Sequence, residues 1–197
     1  AEQVEVVLHQ FVTLMKGDQK VKMSTRKANY VTLDDLMEEV GRDVVRYFFI
    51  MRNAESQLNF DLELAREEGE ENPVFYLQYA HARICSILNQ IKKEGTKIKD
   101  IGEVELEKLD TEAELDLIQK LGDYPEELVK SAESREPHHM ARYAYELAAK
   151  FHSFYNKCHV LVENEELMQA RFQLVLAVKW VLCNLLDILG ISAPESM

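Results

Sequence analysis

Residues 72–95 read NPVFYLQYAHARICSILNQIKKEG, and this segment carries the clearest helical pattern in the chain. Asn72 followed by Pro73 favours a helix start, because an Asn side chain caps free amides and proline suits the first turn. Gly95 supplies the corresponding stop. At about 100° per residue one face is wholly apolar. That face consists of Leu77, Ala80, Ile84, Ile87, Leu88 and Ile91. We therefore expect a helix that runs to about residue 93 and is buried along this face.

The helical period continues through the rest of the chain. Thr111 and Glu114 form a capping box, which opens a helix that ends near Gly122. Further helices are expected over residues 124–135, 137–159 and 165–189, whereas residues 95–110 are polar and indicate a connection. From residue 61 onward the sequence predicts a helical bundle.

The N-terminal segment has a different pattern. Residues 4–14 alternate and predict a strand, residues 16–20 predict a turn around Gly17, and residues 21–23 predict a short returning strand. A lone hairpin is only marginally stable in water. We therefore expect this end to be the remnant of a larger α/β domain.

Two helices are expected between this hairpin and residue 61. A capping box of Thr32 and Asp35 opens the first, which Gly41 ends. The second is expected over residues 44–51, with a buried face that includes Phe49. The predicted fold class is thus mainly α, with a small α/β segment in front of a bundle.

The charge of the chain is concentrated in its middle. The 197 residues carry a net charge of −12, and 47% of them are hydrophobic, which is typical of a folded domain rather than a disordered one. Residues 61–136 hold 20 acidic and 10 basic side chains, whereas each flanking segment has a net charge of only −1. Phosphate binding depends on Lys and Arg. The total charge therefore argues against nucleic acid as a partner, but a local basic face remains open in the flanks.

Composition also bears on location. The three cysteines form no close pair, which fits reduced thiols in the cytoplasm better than a disulfide framework. No apolar run reaches the roughly 18 residues of a membrane span. Residues 1–15 lack the basic head and cleavage site of a signal peptide. We expect a cytoplasmic chain with no membrane partner.

A short basic loop is the first candidate site. Lys22, Arg26 and Lys27 provide three cations, and Ser24 and Thr25 two hydroxyls, between a strand and a helix. Such a loop can wrap a polyphosphate, because the cations neutralise charge while the hydroxyls donate hydrogen bonds. The alternative is a solvated basic loop without a ligand.

A second candidate lies on the helix of residues 72–93. Tyr76, Tyr79, Arg83 and Gln90 share a face about 110° from the apolar one. Two aromatic rings beside a guanidinium suit stacking against unpaired bases, with a phosphate or base-edge contact next to them. The alternative is that both tyrosines pack at a helix–helix seam beside an ion-paired Arg83.

Other chemistries find little support. His138, His139, His152, His159 and Cys158 lack the paired spacings of zinc sites, so no metal site is predicted. The sequence contains no G-x-S-x-G, no P-loop and no G-x-G-x-x-G.

Several short motifs follow one another in a recognisable order. They are Lys22-Met23-Ser24-Thr25-Arg26, Asn29-Tyr30-Val31-Thr32-Leu33, Glu39-Val40-Gly41-Arg42-Asp43, Arg46-Tyr47-Phe48-Phe49, Asn59-Phe60-Asp61-Leu62, Asn72-Pro73-Val74, Leu77-Gln78-Tyr79-Ala80-His81-Ala82-Arg83-Ile84 and Gly190-Ile191-Ser192-Ala193-Pro194-Glu195-Ser196-Met197. Each motif is weak by itself, but the ordered series is highly specific. Over the whole chain it resembles the C-terminal portion of bacterial arginyl-tRNA synthetase.

The resemblance implies two domains. Residues 1–60 would be the end of a Rossmann-type class I catalytic domain, and residues 61–197 a helical anticodon-binding domain. Residues 22–26 would be the KMSKS-like loop, in which Lys22, Ser24 and Thr25 approach the ATP phosphates. Met23 and Arg26 would complete this ATP-binding loop.

The resemblance also implies where tRNA would bind. The tRNA-contacting residues of the family correspond to Tyr79 and Arg83, with Tyr76 beside them, and to Tyr155 and the terminal Met197. These positions strengthen the interpretation of the tyrosine and arginine face as an RNA surface.

The implied activity is that of arginine–tRNA ligase, with ATP and Mg as cofactors and tRNA(Arg) as partner. No H-x-G-H-type signature occurs in the chain. We therefore expect a fragment that contacts tRNA(Arg) but binds no cofactor tightly. It should catalyse nothing alone, because ATP and arginine would be bound through a catalytic domain that it lacks. DNA is not an expected partner. The alternatives are a related class I synthetase of the cysteinyl or methionyl type, or a stand-alone helical interaction module.

Overall fold

A small sheet and two helices precede a bundle of longer helices. The computed structural model describes residues 6–21 and 31–197. The strands are β1 (Val12–Lys16), β2 (Gln19–Lys20) and β3 (Leu58–Asp61). The helices are α1 (Leu33–Val40), α2 (Arg42–Ile50), α3 (Leu62–Arg66), α4 (Pro73–Lys93), α5 (Glu112–Gly122), α6 (Tyr124–Ser134), α7 (His138–Lys157) and α8 (Glu165–Leu189). This arrangement confirms the predicted fold class.

The sheet has the order β2-β1-β3, with β1 antiparallel to β2 and parallel to β3. The turn at Gly17 is confirmed, with a φ of 56°. The strand predicted over residues 4–14 is wrong in position, because residues 6–11 are irregular and Phe11 is 91% exposed. A strand needs a partner, and pairing with β3 begins only at Val12. The returning strand lies earlier than predicted, at β2, and residues 22 and 23 are outside the described part.

Helix α1 begins where its capping box indicates, whereas α2 begins at Arg42, two residues before the expected start. The Thr32 hydroxyl accepts from the Asp35 amide at 3.0 Å, and the Asp35 carboxylate accepts from the Thr32 amide at 2.8 Å. The expected burial of Phe49 is wrong: its ring is 40% exposed, whereas Tyr47 is buried. The reason is that Tyr47 faces the bundle, where its hydroxyl donates to the Ala141 carbonyl at 3.1 Å.

Helix α4 forms as predicted. The Asn72 side chain accepts from the Val74 amide at 3.0 Å, and its amide group donates to the Ala65 and Glu67 carbonyls. All six residues of the predicted apolar face are buried. After α4, residues 95–110 form the expected connection, which contains two short 3-10 turns at Ile101–Glu103 and Leu106–Lys108.

Helix α8 is the most apolar element. Its mean hydropathy reaches 1.8 over 18 residues, so by length and composition alone it would suit a membrane span, contrary to the expectation that no such run occurs. Burial accounts for this composition, since 44% of that window is buried and α8 packs against α4, α5 and α7. Gly190, with a φ of 68°, ends the helix.

A buried ion pair joins α5 to α8. Glu114, the third residue of α5, is fully buried, and its carboxylate accepts a hydrogen bond from Arg171 Nε at 2.7 Å. Arg171 Nη1 also donates to the His159 carbonyl at 2.6 Å. Burial opposes ionisation of Glu114, but hydrogen bonds from Thr111 and Arg171 outweigh it and lower the pKa of the carboxyl. The sequence pattern indicated the cap but not the ion pair.

Candidate nucleic-acid interface

A surface groove brings together most of the residues that were predicted to contact RNA. It has a volume of about 660 Å³ and lies between α4, the end of α7 and the last residues of the chain. We call it the tail groove. Its lining residues are Tyr79, Ala82, Arg83, Ser86, Ile87, Asn89, Gln90, Lys93, Tyr155, Glu195, Ser196 and Met197. Four of the five predicted contact residues therefore share one concave surface, although their contacts with RNA remain a prediction.

Arg83 lies at the centre of an aromatic clamp. Its Cζ atom is 4.5 Å from the ring centroid of Tyr79 and 4.5 Å from that of Tyr155. The guanidinium also donates a hydrogen bond to the Tyr79 hydroxyl. Within the described part of the chain, no carboxylate lies within 4.0 Å of this guanidinium. The positive charge is thus held in a fixed orientation and forms no ion pair with a carboxylate of the described residues.

Tyr155 and Met197 are the most accessible of the predicted contacts. Tyr155 is 37% exposed at the end of α7, and Met197 is 55% exposed at the chain end. A tyrosine ring offers a stacking surface to any base, and a thioether adapts to irregular apolar shapes. Their exposure in one groove suits an unpaired nucleobase better than a compact anion.

Tyr76 differs from the other predicted contacts. It is half-buried and lies outside the tail groove, with its ring centroid 5.1 Å from Tyr145 and 4.6 Å from His152. Burial raises the pKa of its phenol, and nearby Tyr145 adds to the effect. Tyr76 therefore lies in a packed seam between helices, which was the alternative to an RNA-binding role for this face. A direct contact of Tyr76 with RNA remains a prediction.

His152 was missed as a structural part of this region. Its ring packs 4.6 Å from Tyr76 and 6.0 Å from Tyr79, so it supports the groove from behind. Burial and, after it, the positive charge of Arg83 lower the pKa of His152, although the Tyr76 carbonyl opposes this shift. The lowered pKa favours the neutral imidazole, which adds no charge behind Arg83.

Further polar residues of the groove follow from the helical period. Ser86, Gln90 and Lys93 lie on the same face of α4 as Arg83, about one, two and three turns further along. Gln90 was identified on this face from the sequence, whereas Ser86 and Lys93 were not. Both residues follow the same helical spacing from Arg83 toward the end of α4, so the sequence contains a signal for them.

The acidic middle of the chain contributes no carboxylate to this surface. From residues 61–136 the charged lining residues are Arg83 and Lys93, and the only acidic lining residue is Glu195. Elsewhere in this segment, Asp116 pairs with Lys150 and Lys120 with Glu146, both away from the groove. The net charge of −12 therefore does not describe the groove itself.

The other sequence-predicted sites have different outcomes. Lys22, Met23, Ser24, Thr25 and Arg26, assigned to ATP by resemblance, lie outside the residues that the structure describes. Glu136, His138 and His139 place one donor atom each within 4.8 Å of one another, which the argument from spacing missed. Burial and, after it, the proximity of His139 lower the pKa of His138. That no metal is bound remains a prediction.

Comparison with known proteins identifies the family. A family model described as the DALR anticodon binding domain matches residues 77–197. An arginine–tRNA ligase from Salinibacter ruber is 53% identical over 196 residues, covering 100% of this chain and 34% of the relative. One from Desulforamulus reducens is 49% identical, covering 100% and 35%. The chain thus spans about a third of the length of these curated relatives.

A solved structure agrees with the sequence comparison. The arginyl-tRNA synthetase of Thermus thermophilus superposes with a TM-score of 0.76 and 28% identity, over 94% of this chain and 34% of that one. The resemblance drawn from the ordered motifs is thereby confirmed, and the chain belongs to the DALR anticodon-binding domain family.

Proposed function

We propose that this chain binds the anticodon region of tRNA(Arg) as part of an arginine–tRNA ligase. The observation that carries the proposal is the convergence of Tyr79, Arg83, Tyr155 and Met197 in the tail groove, within a member of the anticodon-binding family. Unpaired bases of an anticodon loop are splayed, stackable ligands, and aromatic and guanidinium planes are the usual protein surfaces for them.

Each part of the groove has a role in this proposal. The exposed ring of Tyr155 and the half-buried ring of Tyr79 stack on bases, and each base stacked on an aromatic ring is worth roughly 1–3 kcal/mol. The Arg83 guanidinium interacts with a phosphate or a base edge. Gln90 and Asn89 offer amide groups that can both donate to and accept from base edges. Contacts are few, so binding by this chain is weak and sensitive to salt.

The larger reaction is also part of the proposal. In an arginine–tRNA ligase, ATP activates arginine as an adenylate, and the arginyl group is then transferred to the 3′ end of tRNA. Aminoacyl-tRNA synthetases generally use ATP with Mg and act as soluble translation enzymes, which supports a cytoplasmic location. We infer that residues 22–26 form the ATP loop of that site, with Lys22, Ser24 and Thr25 at the phosphates and Met23 and Arg26 beside them.

The binding experiment is a titration with tRNA(Arg) and two non-cognate tRNAs, those for cysteine and methionine, at several salt concentrations. Tighter binding of tRNA(Arg), weakened by Arg83→Ala and by salt, supports the proposal. Tighter binding of the tRNA for cysteine or for methionine would favour a related class I synthetase, and equal binding of all three would contradict specificity for tRNA(Arg). No binding at low salt would leave the helical protein-interaction module as the better account.

An aminoacylation assay tests what the chain does by itself. With ATP, Mg, arginine and tRNA(Arg), we expect no arginyl-tRNA above background, since no H-x-G-H-type signature is present. Turnover by the purified chain would contradict this part of the proposal.

A further inference from the structure

The last eight residues form one wall of the tail groove without forming a helix or strand. Gly190 ends α8, Ile191 is buried, and Glu195, Ser196 and Met197 then line the groove. A segment without regular secondary structure is usually mobile unless other residues hold it. The contacts that hold residues 190–197, here called the tail, therefore decide whether this wall exists before RNA arrives.

The strongest of these contacts comes from α2. Asp43 Oδ2 accepts hydrogen bonds from the Ser192 amide at 3.0 Å, the Ser192 hydroxyl at 2.5 Å and Gln78 Nε2 at 2.9 Å. Gln78 Nε2 lies 2.9 Å from the Ser192 hydroxyl oxygen and 3.2 Å from the Ser192 carbonyl oxygen. A carboxylate that accepts several hydrogen bonds forms stronger ones than a neutral acceptor does. Ser192 is thus fixed by two helices at once.

A second anchor lies closer to the groove. His81 is buried, and its Nδ1 atom is 2.8 Å from the Pro194 carbonyl oxygen. Because a carbonyl only accepts, Nδ1 carries the proton, and Nε2 is free to accept from the Cys183 thiol at 3.2 Å. The Pro194 carbonyl is thereby held just before the three residues that enter the groove.

The two anchors come from different parts of the chain. Gln78 and His81 lie on α4, within the residues that match the family model, whereas Asp43 lies on α2, outside residues 77–197. Arg46, also on α2, donates to the Leu189 carbonyl at the end of α8. The position of the tail thus depends on a helix that the anticodon-binding domain does not include.

We propose that Asp43 is a positioning residue for RNA binding, which acts through Ser192 to hold Met197 in the tail groove. This inference rests on the proposed function. With the hydrogen bonds between Asp43 and Ser192 intact, the tail is ordered before binding, so little ordering entropy opposes the association. Without these hydrogen bonds, only a fraction of the chains has the tail in the binding conformation. The apparent Kd then equals the intrinsic Kd divided by that fraction.

Two variants and a control test the contact between Asp43 and Ser192 in the whole 197-residue chain. Asp43→Ala removes the acceptor, and Asp43→Asn keeps an acceptor oxygen without the charge. Asp34→Ala removes an exposed carboxylate of α1 and makes the same change in net charge. Hydrogen exchange reports on the tail through the Ser192 amide, and a titration reports the Kd for tRNA(Arg).

We expect Asp43→Ala to speed exchange over the tail and to raise the Kd roughly tenfold, which corresponds to about 1.4 kcal/mol. Asp43→Asn should restore much of both, and Asp34→Ala should change neither. If Asp43 acts through the tail, deleting Met197 should add no further loss in the Asp43→Ala background.

The outcomes separate this inference from the function on which it rests. A released tail with unchanged Kd would overturn the inference, as would unchanged exchange at Ser192 or additive losses from Asp43→Ala and the Met197 deletion. In those cases wild-type binding and its loss in Arg83→Ala would leave the proposed function intact. Failure of the wild-type chain to bind tRNA(Arg) would overturn both.

Discussion

Replacing Arg83 by lysine separates charge from geometry in the tail groove. Lysine keeps the positive charge but lacks the planar guanidinium that lies between Tyr79 and Tyr155. It also loses the directed hydrogen bond to the Tyr79 hydroxyl. If the groove needed only a cation, this substitution would be silent. Our account predicts that it is not, because Arg83 orders both rings.

The size of the effect follows from these contacts. A cation over an aromatic ring contributes about 0.5–1 kcal/mol at a partly exposed site, and Arg83 has two such rings at 4.5 Å. The hydrogen bond to Tyr79 adds about 0.5–1.5 kcal/mol. Lysine retains part of the attraction to the rings, so we expect the groove to lose roughly 1–2 kcal/mol of internal ordering, a cost that RNA binding must then meet. This corresponds to a Kd that is about 5–30 times higher.

Fluorescence anisotropy with labelled tRNA(Arg) at several salt concentrations measures this loss. Arg83→Lys should raise the Kd while leaving the slope of log Kd against log salt unchanged, because the charge is kept. Arg83→Ala should reduce that slope by about 0.7–0.9. Arg142→Lys is the matched control, since Arg142 lies on α7 outside the groove and pairs with Glu146. A Kd of Arg83→Lys within twofold of wild type would show that the groove needs only a positive charge at residue 83.

Two further predictions concern the scaffold. Glu114→Gln leaves Arg171 buried without its counter-ion, so urea unfolding at pH 7 should show a loss of roughly 3–5 kcal/mol. Folding lowers the pKa of Glu114, so the difference in unfolding free energy between wild type and Glu114→Gln should be complete above the unfolded-state pKa of about 4.3. It should vanish as pH falls through the lower folded-state pKa, and a difference that persists at low pH would contradict this. Gly190→Ala should lower the Tm more than Gly95→Ala, since both glycines have positive φ but only at Gly190 would a Cβ meet the Arg46 guanidinium. Equal shifts in Tm would count against that close approach.

Most of the helices were predictable from local signals, although the short α3 was not. Caps at Asn72, Thr111 and Thr32 and stops at Gly95 and Gly190 are short-range features, and their hydrogen bonds involve residues close in sequence. The sheet was not predictable in the same way. Its strand β3 has only four residues, and it is stabilised by parallel pairing with β1, far away in the chain. Pairing of that kind decides where a strand begins, and it leaves no periodic trace in the sequence.

The candidate site was also predictable only where it depends on residues close in sequence. The period of α4 placed Tyr79, Arg83 and Gln90 on one face, but only packing distinguishes Tyr76, which lies against Tyr145 and His152, from its neighbours. Tyr155 and Met197 entered the prediction only through resemblance, since no spacing rule links them to α4. Contacts between distant segments, such as Asp43 with Ser192, had no signal in the sequence.

The distribution of charge also acquires a structural meaning. The carboxylates of residues 61–136 are absent from the lining of the tail groove, where Arg83 and Lys93 are the charged side chains from that segment. If this surface binds RNA, carboxylates elsewhere on the chain would disfavour other orientations of the RNA. A chain with a net charge of −12 is thus compatible with a specific and weak RNA contact.

The central claim is that bases of the anticodon loop enter the tail groove beside Met197. Its most direct test is methyl NMR of the chain with ¹³C-labelled methionine, with the Met197 signal assigned through Met197→Leu, during addition of a hairpin that carries the tRNA(Arg) anticodon loop. Stacked bases shift nearby methyl resonances, so the account predicts a shift of the Met197 signal that Arg83→Ala abolishes. A hairpin that binds and perturbs other methionines while leaving Met197 unchanged would contradict the account.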